Sequence, residues 1–309
     1  MRVVVALGGN ALRKKGEGFD YETHYDNALL TFQRLAEAGF FSNDRKVVIT
    51  HGNGPQVGME FVRHFLTKER FPMYPLHALT ASTQGWIGYI LEATLRRTLR
   101  ERGMEREVAT LMTMVEVSPD DPALRDPSKP IGEFMTKEQA MELSILTGLP
   151  VKEDANRGWR LVVGSPKPLR VINSRIVKAL MEAGVIVIAA GGGGVPVKGD
   201  FSGVPAVIDK DRASALLGLE VGADALYILT QVPAVYINYG KPDQRPLRKV
   251  RVEELKRYAE EGHFAPGSML PKVEAAISFV EGGGKRVVIT SPDFVAEAER
   301  GEAGTVVLP

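Results

Sequence analysis

The chain has 309 residues, enough to bury a sizeable core, and its 39 Lys and Arg against 38 Asp and Glu leave a formal charge of +1. That balance supplies no global basic field to draw in nucleic acid or a membrane surface, so any cationic site must be local. The absence of cysteine excludes disulfides, thiolate metal sites and a thiol nucleophile together, and fits a reducing compartment.

Val3 to Leu7 is a β-branched, apolar run of the kind buried in a parallel sheet, and it leads into Gly8-Gly9-Asn10. The amino terminus enters this strand pattern at once, without a signal-peptide succession, and no apolar run approaches membrane-spanning length. A cytoplasmic protein with neither membrane nor nucleic-acid partner is expected. Arg13 to Tyr21 reads as a polar loop. From Thr23, the positions Ala28, Leu29, Phe32, Leu35 and Ala36 recur at helical spacing, and Gly39 stands where a left-handed C-terminal cap belongs. The same device then repeats: Lys46 to Thr50 runs into His51-Gly52-Asn53-Gly54-Pro55 ahead of a second helical pattern. A long helix is expected from about Leu76 to Arg102, with Ile87, Ile90, Leu91, Leu95 and Leu99 on one face. Glu107 to Val117 reads as one buried strand, ended by Ser118-Pro119-Asp120-Asp121-Pro122.

Beyond Pro122 the chain leaves the strand-helix rhythm. An extended, proline-flanked segment (Ser128-Lys129-Pro130-Ile131-Gly132), a capped helix from Thr136 to Gly148 and a strand from Gly158 to Val163 suggest an inserted subdomain over about 118–172. Lys129, pinned ahead of Pro130, lies where no helix can form. Ser174 to Gly184 is a crossover helix into the stretch that organises the chain: VIVIAA, then Gly191-Gly192-Gly193-Gly194, then Asp209-Lys210-Asp211-Arg212 opening another helix. A strand at Ala225 to Thr230, a hairpin over Val235 to Leu247 and helices over Val252–Glu261 and Met269–Val280 complete the pattern. Gly267-Ser268 is a possible cap for the latter helix, and strands at Arg286–Thr290 and Gly304–Leu308 come last. The alternation predicts an α/β fold, a largely parallel sheet with helices on both faces.

Three glycine-rich turns at the carboxyl ends of strands are suited to phosphate, because backbone N–H groups can converge there. No G-x-x-x-x-G-K-[ST] is present, no strict G-x-G-x-x-G opens a helix, and the protein-kinase signatures are missing. No H-E-x-x-H occurs and the five histidines are scattered, which argues against a built-in transition-metal site. Phosphoryl transfer instead needs cations and backbone donors around the moving group. Lys210 at one helix start and Lys272 near another fit that need, since a helix N-terminus disfavours a cation unless an anion accompanies it. Asp211 can hold such ammonium groups in position. His51 reads as a hydrogen-bonded edge residue and Trp86 and Trp159 as core. Magnesium would ride on nucleotide phosphates, so the missing carboxylate cluster is no objection.

Ala6-Leu7-Gly8-Gly9-Asn10-Ala11-Leu12, Thr50 to Gly58, Ser128-Lys129-Pro130-Ile131-Gly132, Ala189 to Gly194, Ile208-Asp209-Lys210-Asp211, Tyr236-Ile237-Asn238 and Phe264 to Met269 together resemble the carbamate kinases, within the amino acid kinase superfamily. The resemblance implies a three-layer αβα sandwich acting as a homodimer. It also implies a lobe for carbamate and carbamoyl phosphate over 1–180, insert included, and a nucleotide lobe over 181–309. It further implies reversible phosphoryl transfer between ATP and carbamate, giving ADP and carbamoyl phosphate. Carried onto this sequence, Gly8, Gly9, Asn10, Gly52, Asn53 and Gly54, with Gly192 and Gly193 of the central stretch, would cradle substrate and the phosphoryl group. Lys129 would reach in from the insert, Lys210 and Lys272 would neutralise phosphate charge, and Asp211 would organise the lysines. Tyr236 and Met269 would line the nucleotide site. Gln231 stands where many superfamily members have Asp. The rivals are another small-acid or phosphate-ester kinase of the superfamily, which the insert with Lys129 speaks against, and a silent nucleotide-binding regulator, which retention of the three lysines speaks against.

Overall fold

The structure, a computed structural model, describes residues 1–14, 16–154 and 158–309, and of Asn10 the backbone alone. The first half runs β1 (Arg2–Leu7), α1 (Tyr21–Glu37), β2 (Lys46–His51), α2 (Gly54–Thr67), α3 (Leu76–Glu101), β3 (Val108–Thr110) and β4 (Met114–Val117). The insert holds β5 (Lys129–Met135), α4 (Lys137–Thr147), β6 (Val151–Glu153) and β7 (Trp159–Val163). Then come β8 (Pro168–Val171), α5 (Ser174–Glu182), β9 (Ile186–Ile188), β10 (Val195–Val197), α6 (Lys210–Val221) and β11 (Ala225–Leu229). The chain closes with β12 (Val235–Ile237), β13 (Arg245–Leu247), β14 (Lys249–Arg251), α7 (Val252–Glu260), α8 (Leu270–Glu281), β15 (Arg286–Thr290), α9 (Val295–Glu299) and β16 (Thr305–Leu308).

Eight strands form one sheet in the order β14-β16-β15-β11-β1-β2-β9-β3, parallel except between β15 and β16. Alternation along the strands divides the core into two layers. Val4, Ala6, Leu226 and Ile228 face the cluster that includes α5, α6, α7 and α8 residues; Val3, Val5, Leu7, Tyr227 and Leu229 face the one built on α1, α3 and α9. The three-layer αβα reading of the sequence therefore holds. One sheet serves both halves of the chain, because β9 lies between β2 and β3.

Local chemistry fixes the helix ends. Asp20 caps α1, accepting from Thr23 N, and Gly39 takes the left-handed conformation just beyond it (φ 77°). In the insert, Thr136 and Gln139 make a reciprocal capping box for α4, and Gly148 ends it with φ 73°. Two expectations need correction. The single strand expected over Glu107–Val117 is two strands in different sheets: β3 joins the large sheet, while β4 sits between β10 and β8. The break falls at Thr113, whose N–H is taken by Gln84 Oε1 (2.8 Å) and whose C=O accepts both from Gln84 Nε2 (3.0 Å) and from Val195 N at the start of β10 (2.9 Å), so the chain leaves the large sheet here for the smaller one. Nor do Gly267 and Ser268 cap α8; Met269 occupies the cap position without a side-chain bond.

The insert packs on α2 through backbone. Ile131, Leu161 and Val163 share an apolar cluster with Val57, Phe61, Leu76 and Leu79. A Cβ on Gly58 would lie 2.0 Å from Gly132 N, so β5 can lie this close only because α2 presents no side chain there.

Candidate active site

β1, β2 and β9 run side by side and parallel, so the glycine turns after them open at the same edge of the sheet. After β1, Gly8 N–H donates to Leu229 O at the end of β11 (3.0 Å), and Gly9–Ala11 make one helical turn. After β2, Gly54 opens α2; Pro55 has no N–H to donate, and the Gly54 and Gln56 N–H groups precede the bond from Val57 N to Asn53 O (2.8 Å). After β9, the chain turns through Ala190, Gly192, Gly193 and Gly194, all at positive φ. A Cβ on Gly192 would meet Asn53 Nδ2 at 2.3 Å and one on Gly193 would meet Ile208 O at 2.5 Å. The third turn is thus pressed against the second and against the residue that precedes Asp209. Ala190 lacks the freedom of glycine yet holds φ 50°, a strained conformation of the kind that collects at functional sites.

Three ammonium groups and two carboxylates meet beside these turns. Lys210 begins α6, and its aliphatic stem lies over the second turn: its Cδ is 3.4 Å from where a Cβ on Gly52 would stand. Its Nζ pairs with Asp211 Oδ1, and Lys272 Nζ takes Asp211 Oδ2 at 3.1 Å and Ser268 O at 3.2 Å. From the insert, Lys129 Nζ reaches Asp209 Oδ2 at 2.5 Å. Asp209, the N-cap of α6, also accepts from Asp211 N and Arg212 N through Oδ1 (2.9 and 3.2 Å). Lys210, Asp209 and Asp211 are buried, and Lys129 and Lys272 keep part of their side chains exposed.

The electrostatics result from burial and pairing. Burial pushes Lys210 below its ordinary value, and Asp211 pulls it back. Burial alone would raise both carboxyls; Lys129 outweighs it at Asp209, and Lys210 and Lys272 outweigh it at Asp211, so both stay below the usual carboxylate range. Three lysines thus face two carboxylates in the cluster. His51 is buried at the end of β2, its Nδ1 3.0 Å from Gly52 O, and burial holds it down to about 4, which makes it neutral near pH 7. It is the hydrogen-bonded edge residue expected from sequence.

The sequence-derived residues thus fall into groups. Lys129, Lys210, Asp211 and Lys272 come together with Asp209 at the start of α6, the stem of Lys210 lying over Gly52, and Asn53 lies against Gly192 with its Nδ2 donating to Thr83 Oγ1 (2.8 Å). Gly8 and Gly9 form the neighbouring turn; the side chain of Asn10 lies outside the described residues. Gly54 backs onto the insert, 3.2 Å from Pro130 O as measured from an added Cβ. Met269 stands one turn before Lys272, whereas Tyr236 makes its ring contact on the β12–β13 hairpin, edge-on to Tyr239. Trp86 packs against the α1/α3 core, and Trp159 lies under Lys137 on the insert. Asp209 was legible only as part of a helix start; its contact with Lys129 spans 80 residues of sequence. Among the described residues no group of three or more His, Asp or Glu side chains could hold a metal ion, and none of the helices is long and apolar enough to cross a membrane.

The amino acid kinase family model matches residues 1–291. The chain belongs to the amino acid kinase family. Within it, the chain is similar to the carbamate kinase of Pyrococcus furiosus, with 47% identity over 100% of this chain and 99% of that one. Among solved structures, carbamate kinase from Giardia lamblia bound to citric acid superposes with a TM-score of 0.94 at 38% identity, covering 99% of this chain and 98% of that one. The same Giardia enzyme bound to AMP-PNP gives 0.88 at 39% identity, with the same coverage.

Proposed function

We propose that the protein is a carbamate kinase, an ATP:carbamate phosphotransferase that interconverts ATP and carbamate with ADP and carbamoyl phosphate. The observation that carries the reading is the meeting of three lysines, from β5, α6 and α8, on two buried carboxylates where three glycine turns converge. A phosphoryl group in flight between two oxygens needs that kind of setting, a preorganised positive surround with backbone donors, and needs no covalent nucleophile.

In the direction of ATP formation, a terminal oxygen of ADP attacks the phosphorus of carbamoyl phosphate and the bond from phosphorus to the carbamate oxygen breaks. Lys210 and Lys272, fixed by Asp211, hold positive charge on the moving group. Lys129 faces it from the carbamate side, and the turns at Gly8–Asn10, Gly52–Gly54 and Gly192–Gly193 supply N–H donors other than those of Gly8, Gly52 and Gly193, which donate to Leu229 O, Leu7 O and Ala190 O. Met269 and Tyr236 belong to the nucleotide side, in 181–309, with the carbamate side in 1–180. Magnesium, when bound with the nucleotide, offsets phosphate charge. The donor set fits an ion carried by the nucleotide, because both carboxylates of the cluster are engaged by ammonium groups. The reading extends to a cytoplasmic homodimer, whose mass light scattering would measure directly.

A coupled assay of ATP formed from ADP and carbamoyl phosphate tests the function. Turnover with carbamoyl phosphate but not with acetylglutamyl phosphate or UDP as phosphoryl donor is the expected result. ADP binding without any turnover would favour the silent regulator instead.

A further inference from the structure

We infer that Asp209 is a positioning residue for Lys129, with two separable tasks on its two carboxylate oxygens. Oδ1 caps α6, accepting from Asp211 N and Arg212 N; Oδ2 receives the ammonium of Lys129 at 2.5 Å. The side chain is 10% exposed, so its charge is not dispersed into water, and a cap alone does not need that charge, since Asn caps helices as well as Asp. A neutral residue would serve α6; the negative charge lies in the field of all three lysines, and the ammonium it pairs with directly is that of Lys129 on the insert.

The geometry gives that charge a purpose. Lys129 opens β5, which is seated on α2 by the backbone contacts of Gly132 with Gly58 and of Pro130 with Gly54. The seat brings the strand in but leaves a long, flexible side chain undirected. A fixed carboxylate at the N-cap of α6, two residues from Asp211, brings the Lys129 ammonium to the same helix end as Lys210 and Lys272. Asp209 thereby links the insert's position to the N-terminus of the helix that carries the other charges. It holds the third ammonium over the site when no phosphoryl group is there to do so. A side chain already placed has less freedom left to lose as its contact with the moving group tightens toward the transition state.

The inference rests on the carbamate kinase reading for its kinetic test, so a structural readout runs beside it. Asp209→Asn keeps the cap and removes the charge, whereas Asp209→Ala removes both. The expected results for Asp209→Asn are a melting temperature near that of the wild type, an unchanged Kd for ADP, and a kcat with carbamoyl phosphate lowered about tenfold or more, the scale of one lost charge-assisted contact. In a Lys129→Met background the same substitution should change kcat less than about twofold, because the group it directs is gone. Equal losses in both backgrounds, or wild-type kcat for Asp209→Asn, would overturn the role. Limited proteolysis of the unliganded protein supplies the readout that does not depend on activity. Cleavage within 129–163 should rise severalfold in Asp209→Asn and in Lys129→Met, and no further in the double variant. If wild-type protein lacks turnover, the function reading fails while the proteolysis still decides the pairing. Wild-type resistance to cleavage in Asp209→Asn would then refute it.

Discussion

Lys210 is an ammonium group at a helix N-terminus, buried, beside two other lysines, and each of these features works against its charge. Asp211, Asp209 and an incoming polyphosphate make the arrangement favourable, and this is why it reads as a site and not as a structural ion pair. Lys210→Ala and Lys272→Ala should each lower kcat by about a hundredfold or more, the scale of losing one preorganised electrostatic contact. Steady-state kinetics check this, and wild-type turnover in either variant would remove that lysine from the mechanism. Lys129→Ala should reduce turnover as strongly while leaving the Kd for ADP near the wild-type value in calorimetry; a parallel loss of ADP affinity would move Lys129 to the nucleotide side. His51 carries a pH prediction. Its folded value near 4 lies below its ordinary 6.5, so between these values the unfolded chain takes up a proton that the folded chain refuses. Stability therefore falls as the pH drops from 6.5 toward 4, by something on the order of 3 kcal/mol from this group. His51→Gln should flatten that part of the curve; melting temperatures measured at pH 7 and pH 4.5 check it, and an unchanged slope would refute it.

At the scale of elements, the insert and its seat on α2 decide where Lys129 can go. Gly58 is the sensitive position, because a methyl group there meets the Gly132 backbone, which is not the flexible end of a side chain. Gly58→Ala should force β5 away from α2, at a cost of about 1–3 kcal/mol for overpacking, and lower kcat/KM for carbamoyl phosphate at least tenfold with ADP affinity retained. Unaltered kinetics would show that the seat does not govern Lys129. Replacing 129–163 by a short linker should leave a core that melts lower, since Val57, Phe61 and Leu79 lose apolar cover, yet still binds ADP in calorimetry. Loss of ADP binding from a folded core would contradict the assignment of the nucleotide to 181–309. The cut must stop short of Pro168, because β8 pairs with β4 outside the insert, although the insert reads as reaching Ile172 from sequence.

For the molecule as a whole, the legible features were local and the illegible ones distant. Each glycine turn announces itself through the β-branched run just before it, and the insert through its prolines and the capped helix at Thr136. That β9 falls between β2 and β3, bringing the third turn onto Asn53, is a matter of sheet order, and no stretch of sequence states it. The break at Thr113 depends on Gln84, 29 residues earlier and on another element. Asp209 looks like any helix cap until Lys129 arrives from β5. This convergence of distant residues has one central consequence, the movement of a phosphoryl group from carbamoyl phosphate to ADP. The most direct test incubates the protein with ADP and carbamoyl phosphate labelled with 32P in its phosphate, then separates the nucleotides. The label is expected in ATP; label found only as inorganic phosphate, at the rate seen without protein, would contradict the assignment.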